Sequence, residues 1–126
     1  MDERKRHKLG MKVRRAVLGA AHVERAQSRE NEFNALFQDL ITRYAWGEIW
    51  SRPGLPRKTR SLVTIGMMVA LNRTDELRLH LRAAANTGVT RKDIREVLLQ
   101  TAIYCGVPAA NNAFHIAEEV FAESRK

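Results

Sequence analysis

The stretch that decides the fold is TRKDIREVLLQTAIYCGVPAANNAFHIAEEV, at residues 90–120. Thr90 and Asp93 have the spacing of a capping box at the start of a helix. Gly106 is expected to end that helix and Pro108 to open the next one. Residues 97–114 carry no charge, but their glycine, proline and asparagines are unlike a membrane span. The stretch therefore predicts a buried helical hairpin.

Four more helical patterns precede the hairpin. Apolar residues at helical spacing predict helices at about residues 10–26 and 30–46. A third helix is predicted to start near Pro56, where proline suits a first turn. A fourth is predicted from a Thr74 cap to a left-handed terminator at Gly88. With the two hairpin helices, the pattern predicts about six helices.

The fold class predicted from these patterns is all-α. No segment alternates with the period of a strand. Residues 61–72 are uncharged and apolar on nearly every face, which predicts a helix buried between layers or covered by another subunit. At 126 residues, the chain is expected to be one domain over residues 1–126. Residues 1–9 are interpreted as a basic extension.

The positive charge is concentrated at the N-terminus. The net charge is +8, and residues 1–15 hold seven Lys or Arg against two Asp or Glu. This excess predicts a solvated first helix, with two alternatives: nucleic-acid binding, or attraction of an anionic substrate. The solvated helix is preferred, so nucleic acid is not an expected partner.

The single cysteine, Cys105, excludes an internal disulfide, a CxxC redox pair and a thiolate zinc cluster. A reducing compartment, the cytoplasm, is therefore expected. No apolar run follows the basic N-terminus as in a signal peptide, and no membrane association is expected. The four histidines lack metal-site spacing, so no metal is predicted.

Two polar residues lie near apolar helix faces. His80 falls on the side of Leu77 and Leu81, so it is either a core histidine with a backbone partner or a proton donor. Glu96 begins the uncharged stretch. It is either a surface carboxylate paired with Lys92 or a buried carboxylate whose pKa is raised by desolvation.

Further candidates lie on the last helix and the third. Asn111 and His115 are one turn apart, and His115 could instead pair with Glu118 or Glu119 on the surface. Arg60 lies in an early turn of the third helix, where it could grip a carboxylate or simply be solvated. Trp46 and Trp50 are interpreted as packing, with a pocket wall as the alternative.

Long segments of the chain resemble the carboxymuconolactone decarboxylase family. They are GMKVRRAVLGAAHVERA (10–26), LITRYAWGEIWSRPGL (40–55), KTRSLVTIGMMVALNR (58–73) and LHLRAAANTGVTRKDIREVLLQTAIYCGVPAANNAFHIAEEVF (79–121). The resemblance implies an all-α, alkylhydroperoxidase-like fold and a ring-like homo-oligomer, expected to be a hexamer built as a trimer of dimers.

The wider family includes alkylhydroperoxide reductases, which use a glutamate, a CxxC pair and a histidine. The resemblance places Glu96 and His115 at the glutamate and histidine positions. Pro108 and Asn111 fall at the two cysteine positions. Peroxidase activity is therefore not expected.

What the resemblance implies is cofactor-free decarboxylation of 4-carboxymuconolactone to 3-oxoadipate enol-lactone, in the β-ketoadipate pathway of protocatechuate breakdown. His80 or His115 is the expected proton donor, with Glu96 orienting it. Tyr104 and Asn111 are candidate hydrogen-bond donors to the lactone, and Arg60 is a candidate for its side-chain carboxylate.

Overall fold

A computed structural model describes residues 1–123. These residues form seven α-helices, a π-helical segment and a 3₁₀ turn, with no strand among them, which confirms the all-α prediction. The elements are α1 Glu3–Leu18, α2 Ala20–Ser28, α3 Ala35–Ile41, the π segment Thr42–Trp50, α4 Arg57–Ala70, α5 Thr74–Ala83, the 3₁₀ turn Ala84–Thr87, α6 Arg91–Tyr104 and α7 Val107–Glu123. No helix in this described part is long and apolar enough to cross a membrane. The predicted end of the last helix, Ser124, lies outside it.

The described residues divide into two compact units, an N-terminal unit of residues 1–57 and a C-terminal unit from residue 58 onward. In the N-terminal unit, α1 crosses the π segment at two glycines. A Cβ atom on Gly10 would overlap the Thr42 carbonyl oxygen, and one on Gly47 would overlap the backbone of Arg6. The absence of these side chains lets the two backbones touch.

The predicted helix at residues 10–26 is wrong in its bounds. α1 starts at Glu3 and ends at Leu18, so residues 3–9 are helical. Gly19 then takes a φ of 93°, a conformation that favours glycine, and α2 begins at Ala20. The glycine therefore divides one periodic pattern into two helices.

The predicted second helix, residues 30–46, is also shifted. α3 starts at Ala35 and continues as the π segment to Trp50. Trp46 is buried and stacks on Trp50 with ring centroids 5.1 Å apart, which confirms that these rings pack together. The large apolar residues of the α3 region are exposed, namely Phe33, Leu36, Phe37 and Leu40.

The C-terminal unit has an apolar core. It is formed by one side of each of its helices, with Ile65, Leu77, Leu81, Ile94, Leu98, Ile116 and Val120 among its members. Two ion pairs at the surface join α5 to α7: Arg78 to Glu119 at 2.6 Å and Arg82 to Glu123 at 2.8 Å. These contacts hold the helices that carry the predicted site.

The helix ends in this unit test the sequence predictions directly. The capping box is confirmed: Asp93 N–H donates to the Thr90 hydroxyl, and Thr90 N–H donates to the Asp93 carboxylate. Gly88 is left-handed, as predicted. The Thr74 cap is wrong, because Thr74 is the first residue of α5 and Arg73 precedes it without a side-chain cap.

α4 is not buried on all sides within this chain. Ser61, Ile65 and Val69 face the core, while the row Val63, Met67 and Leu71 is exposed. The sequence pattern marks both rows as apolar, but one chain covers only the first. Cover of the second row by another subunit stays a prediction.

Candidate active site

The α6–α7 hairpin places two predicted catalytic residues at the same level. Its turn is at Cys105 and Gly106, and Gly106 has a φ of 100°. Glu96 lies nine residues before Cys105, and His115 lies nine residues after Gly106. At the helical rise of 1.5 Å per residue, both are about 14 Å from the turn. The carboxylate and the imidazole therefore stem from the same level of two adjacent helices.

Both residues lie on the side of the hairpin that faces away from the core. On α6 the buried residues are Ile94, Leu98 and Thr101, and Glu96 is exposed on the opposite side. On α7 the buried row runs from Ala110 to Val120, and it excludes the exposed Asn111 and His115. We call this exposed side of α6 and α7, with Glu96, Asn111 and His115, the outer face.

A groove between α4 and α6 reaches the outer face. It has a volume of about 450 Å³. Glu96 is the one predicted site residue among those that line it: Leu62, Val63, Gly66, Asp93, Glu96, Val97, Gln100 and Thr101. Its walls are mainly apolar and its polar groups come chiefly from α6, an arrangement that suits a small, partly apolar ligand.

Gln100 is a candidate that the sequence prediction missed. It is exposed, lines the groove and lies four residues after Glu96, on the same side of α6. The available signal was this spacing within an uncharged stretch. Its amide can both donate and accept hydrogen bonds beside the Glu96 carboxylate.

The surface pairings that the sequence suggested for Glu96 and His115 are both wrong. Glu96 contacts the Nε atom of Arg95 at 3.3 Å rather than Lys92. Glu119, a possible partner of His115, instead pairs with Arg78. Within residues 1–123, no carboxylate forms an ion pair with His115. Both site residues are thus exposed, and neither is held in the expected pairing.

His80 lies apart from this pair within one chain. Arg78 pairs with Glu119 and Arg82 with Glu123. α5 and α7 are therefore parallel, and each residue of α5 lies level with the residue 41 positions later in α7. In that register His80 is level with residue 121, about 9 Å along the helix axis from His115. It is half-buried on the core side of α5, as predicted. The geometry therefore groups Glu96 with His115 and not with His80.

The predicted substrate-binding residues are spread along the same helices. Lys58 pairs with Asp93 at 3.2 Å, so the start of α4, which carries the half-buried Arg60, lies beside the first turns of α6. Tyr104 is 80% exposed at the end of α6, about 12 Å beyond Glu96. Arg60 thus lies near the start of α4, Asn111 lies one turn from His115, and Tyr104 lies near the turn of the hairpin.

The arrangement of Glu96 and His115 suits acid–base chemistry. A carboxylate and an imidazole at one level of a helix pair can hold and move a proton near neutral pH. In the described range, residues 1–123, no three His, Cys, Asp or Glu side chains gather as metal ligands.

Comparison with known proteins gives consistent similarities. The sequence profile of the Carboxymuconolactone decarboxylase family matches residues 35–119. A protein of Acinetobacter baylyi (strain ATCC 33305 / BD413 / ADP1) named 4-carboxymuconolactone decarboxylase is 55% identical over 96% of this chain and 90% of its own. Nitrosuccinic acid decarboxylase of Metarhizium robertsii (strain ARSEF 23 / ATCC MYA-3075) is 46% identical over 87% of this chain and 77% of its own. A Pseudomonas putida protein named 4-carboxymuconolactone decarboxylase is 56% identical over 48 residues, which are 38% of this chain and all of that sequence.

Proposed function

The chain belongs to the carboxymuconolactone decarboxylase family, and we propose that it is a carboxy-lyase converting 4-carboxymuconolactone to 3-oxoadipate enol-lactone. The observation that carries this proposal is the 55% identity to the Acinetobacter baylyi enzyme along 96% of this chain. The reaction belongs to protocatechuate breakdown by the β-ketoadipate pathway. The cytoplasm is the proposed location.

The substrate itself explains how the reaction can run without a cofactor. The leaving carboxylate is attached to a ring carbon that is conjugated, through a double bond, to the lactone carbonyl. When the carbon–carbon bond breaks, its electron pair spreads onto the carbonyl oxygen as a dienolate, and carbon dioxide leaves. A proton then adds to the α carbon. The protein needs to bind an anion, stabilise an oxyanion and supply that proton.

We assign the proton transfer to the outer face. His115 is the preferred proton donor, because it is level with Glu96 on the adjacent helix while His80 is displaced along α5. Glu96 orients the imidazole and stabilises its protonated form. His80 remains the alternative donor in this proposal, acting from the core side of α5.

Substrate binding is assigned to groups on α4, α6 and α7. Arg60, near the start of α4, binds the side-chain carboxylate through its guanidinium group. Asn111 and Gln100 donate hydrogen bonds to the lactone carbonyl as negative charge develops there, with Tyr104 as a further donor near the turn. The apolar walls of the α4–α6 groove hold the uncharged part of the ring.

A homo-oligomer, a hexamer built as a trimer of dimers, is part of the proposal. Three apolar surfaces of the described chain are exposed: the α3 surface, the Val63–Met67–Leu71 row, and the end of the hairpin with Leu99, Ile103 and Val107. Clustered exposed apolar side chains are typical of protein interfaces. The Val63–Met67–Leu71 row and the end of the hairpin flank the groove and the outer face. A second subunit bound there would close the site and exclude water.

The relatives suggest one competing substrate, since one of them is named for nitrosuccinic acid. Purified protein should be supplied separately with 4-carboxymuconolactone and nitrosuccinate, and carbon dioxide release measured for each. The proposal expects a much larger kcat/KM for the lactone. A larger kcat/KM for nitrosuccinate would reject 4-carboxymuconolactone as the substrate, while the protein would still be a decarboxylase.

Peroxidase activity and nucleic-acid binding have separate tests. A peroxidase of the alkylhydroperoxidase type would need a second cysteine, and Cys105 is the only cysteine in the sequence. Nucleic-acid binding would use the cations of α1 and would weaken steeply with salt. Consumption of peroxide would favour the first function, and salt-sensitive binding that deletion of residues 2–8 abolishes would favour the second.

A further inference from the structure

The N-terminal unit contains a cavity that has no part in the proposed reaction. This cavity, which is partly open to solvent, lies between α1, α2, α3 and the π segment and has a volume of about 360 Å³. One of its wall residues is Arg14 of α1, which is only 7% exposed. The cavity is lined by residues between His7 and Thr42, six of them before the segment that matches the family profile and five within it.

The buried guanidinium of Arg14 has only neutral acceptors. Its Nη1 and Nη2 atoms both donate to the amide oxygen of Gln38 at 3.3 Å, and Nη1 also donates to the Thr42 hydroxyl at 3.3 Å. These distances are longer than the usual 2.9–3.0 Å of such bonds. Nε is buried without a hydrogen-bond partner. No carboxylate within residues 1–123 forms an ion pair with Arg14.

Arg82 in the C-terminal unit shows the usual arrangement. Its Nε and Nη2 atoms donate to the two carboxylate oxygens of Glu123 at 2.9 and 2.8 Å. Arg82 is exposed, yet it has a two-pronged carboxylate partner. Arg14 is buried, where an unpaired charge is far more costly, and it has no such partner.

The charge of Arg14 also acts on its neighbours. Burial lowers the pKa of the Arg14 guanidinium, with Glu30 acting in the opposite direction. Burial, followed by the nearby charges of Arg14, Arg25 and Arg29, lowers the pKa of His22 on α2. Glu30 therefore offsets the charge of Arg14 only in part, because it forms no ion pair with the guanidinium.

We propose that this cavity binds a small organic monocarboxylate whose carboxylate replaces the Gln38 amide oxygen at Nη1 and Nη2 of Arg14. A carboxylate is the stronger acceptor and matches the guanidinium fork. The same wall carries Met11 and Leu36, which suit an apolar ligand body. The proposal does not depend on the decarboxylase activity.

The carboxylates on the wall limit the charge of the ligand. Glu30 lines the cavity, as does Asp39, which is already paired with Arg43 and His7. A second anionic group on the ligand would meet these side chains and be repelled. The cavity should therefore prefer a monocarboxylate to a dicarboxylate or to phosphate.

The test uses butyrate, succinate and inorganic phosphate as probes, at constant ionic strength set with chloride. The melting temperature of the full chain should rise saturably with butyrate, and less with succinate or phosphate. Arg15→Gln is the matched control, because Arg15 is the exposed neighbour on α1 and does not line this cavity. It should respond like the wild type.

Gln38→Glu supplies a carboxylate from within the protein. This variant should melt at a higher temperature than the wild type without ligand, and its response to butyrate should be lost. The proposal is overturned if the wild type shows no saturable response beyond that to chloride, if phosphate or succinate matches butyrate, or if Gln38→Glu lowers the melting temperature or keeps the full butyrate response.

Discussion

The two units solve the problem of packing helices in different ways. In the N-terminal unit, glycines bring the backbones of α1 and the π segment together, and a charged pair, Arg43 with Glu3, joins the same two elements. In the C-terminal unit, one side of each helix builds an apolar core. The proposed chemistry then lies on the exposed side of helices whose other side provides stability. Changes to the two sides should therefore have separable effects.

The largest difference between an effect on turnover and an effect on stability is expected for Glu96→Gln and His115→Asn. Each should lower the turnover of 4-carboxymuconolactone by at least about tenfold, and by up to ~10⁴-fold where proton transfer is lost. Because both residues are exposed, the melting temperature of each variant should stay close to that of the wild type.

Glu118→Gln is the control for these variants, since Glu118 is an exposed carboxylate on the same helix α7. It should keep full turnover. His80→Asn tests the second candidate donor: a larger loss there than in His115→Asn would reverse the assignment. Full activity in Glu96→Gln and His115→Asn would remove the outer face from the mechanism.

Leu98→Ala tests the packing on the core side of the same hairpin. Leu98 is fully buried, so the variant should lose about 3 kcal/mol of unfolding free energy in a urea titration. Leu99→Ala is the matched variant on the exposed side. If a second subunit covers Leu99, the effect of Leu99→Ala on the unfolding free energy should depend on protein concentration. Equal, concentration-independent losses would refute the distinction between the two sides.

Gly10→Ala tests the glycine contact in the N-terminal unit. The added methyl group would overlap the Thr42 carbonyl oxygen, so we expect a loss of about 2 kcal/mol in unfolding free energy. Gly54→Ala is the control, because a Cβ atom there meets nothing within 4 Å. A neutral Gly10→Ala in thermal unfolding would mean that α1 and the π segment can separate without loss.

The smallest effect is expected at the start of α6, as a dependence of stability on pH. The Thr90 backbone N–H, the Thr90 side chain and Lys58 together hold the pKa of Asp93 below its usual 3.8. The ionised carboxylate therefore stabilises the folded chain above about pH 3.8, and this contribution is lost as the pH falls through the lowered pKa. The melting-temperature difference between the wild type and Asp93→Asn should shrink in that acidic range. A difference that is constant with pH would contradict this.

The sequence predicted local features better than long-range ones. The capping box at Thr90 and Asp93 and the left-handed Gly88 were predictable because each depends on residues within a few positions. The π segment was not, because it accompanies the close crossing of α1 with Thr42–Trp50, and the division at Gly19 was not, because the apolar pattern continues across it. Periodicity alone continues through both.

The candidate site shows the same limit. The resemblance pointed to Glu96 and His115, and the position of the turn alone suffices to place them at one level. The ion pairs of Glu96 and Glu119 could not be predicted, because each carboxylate had several cations within reach. Gln100 was missed because a neutral amide gives no distinctive pattern, and Arg14 because its burial depends on α3 and the π segment.

The most direct test of the proposed reaction is to incubate the purified chain with 4-carboxymuconolactone in deuterated buffer containing a chelator and no added cofactor. The account predicts one carbon dioxide released for each lactone consumed, and a 3-oxoadipate enol-lactone product that carries solvent deuterium at its α carbon. An unchanged lactone, or lactone consumed without release of carbon dioxide, would contradict it.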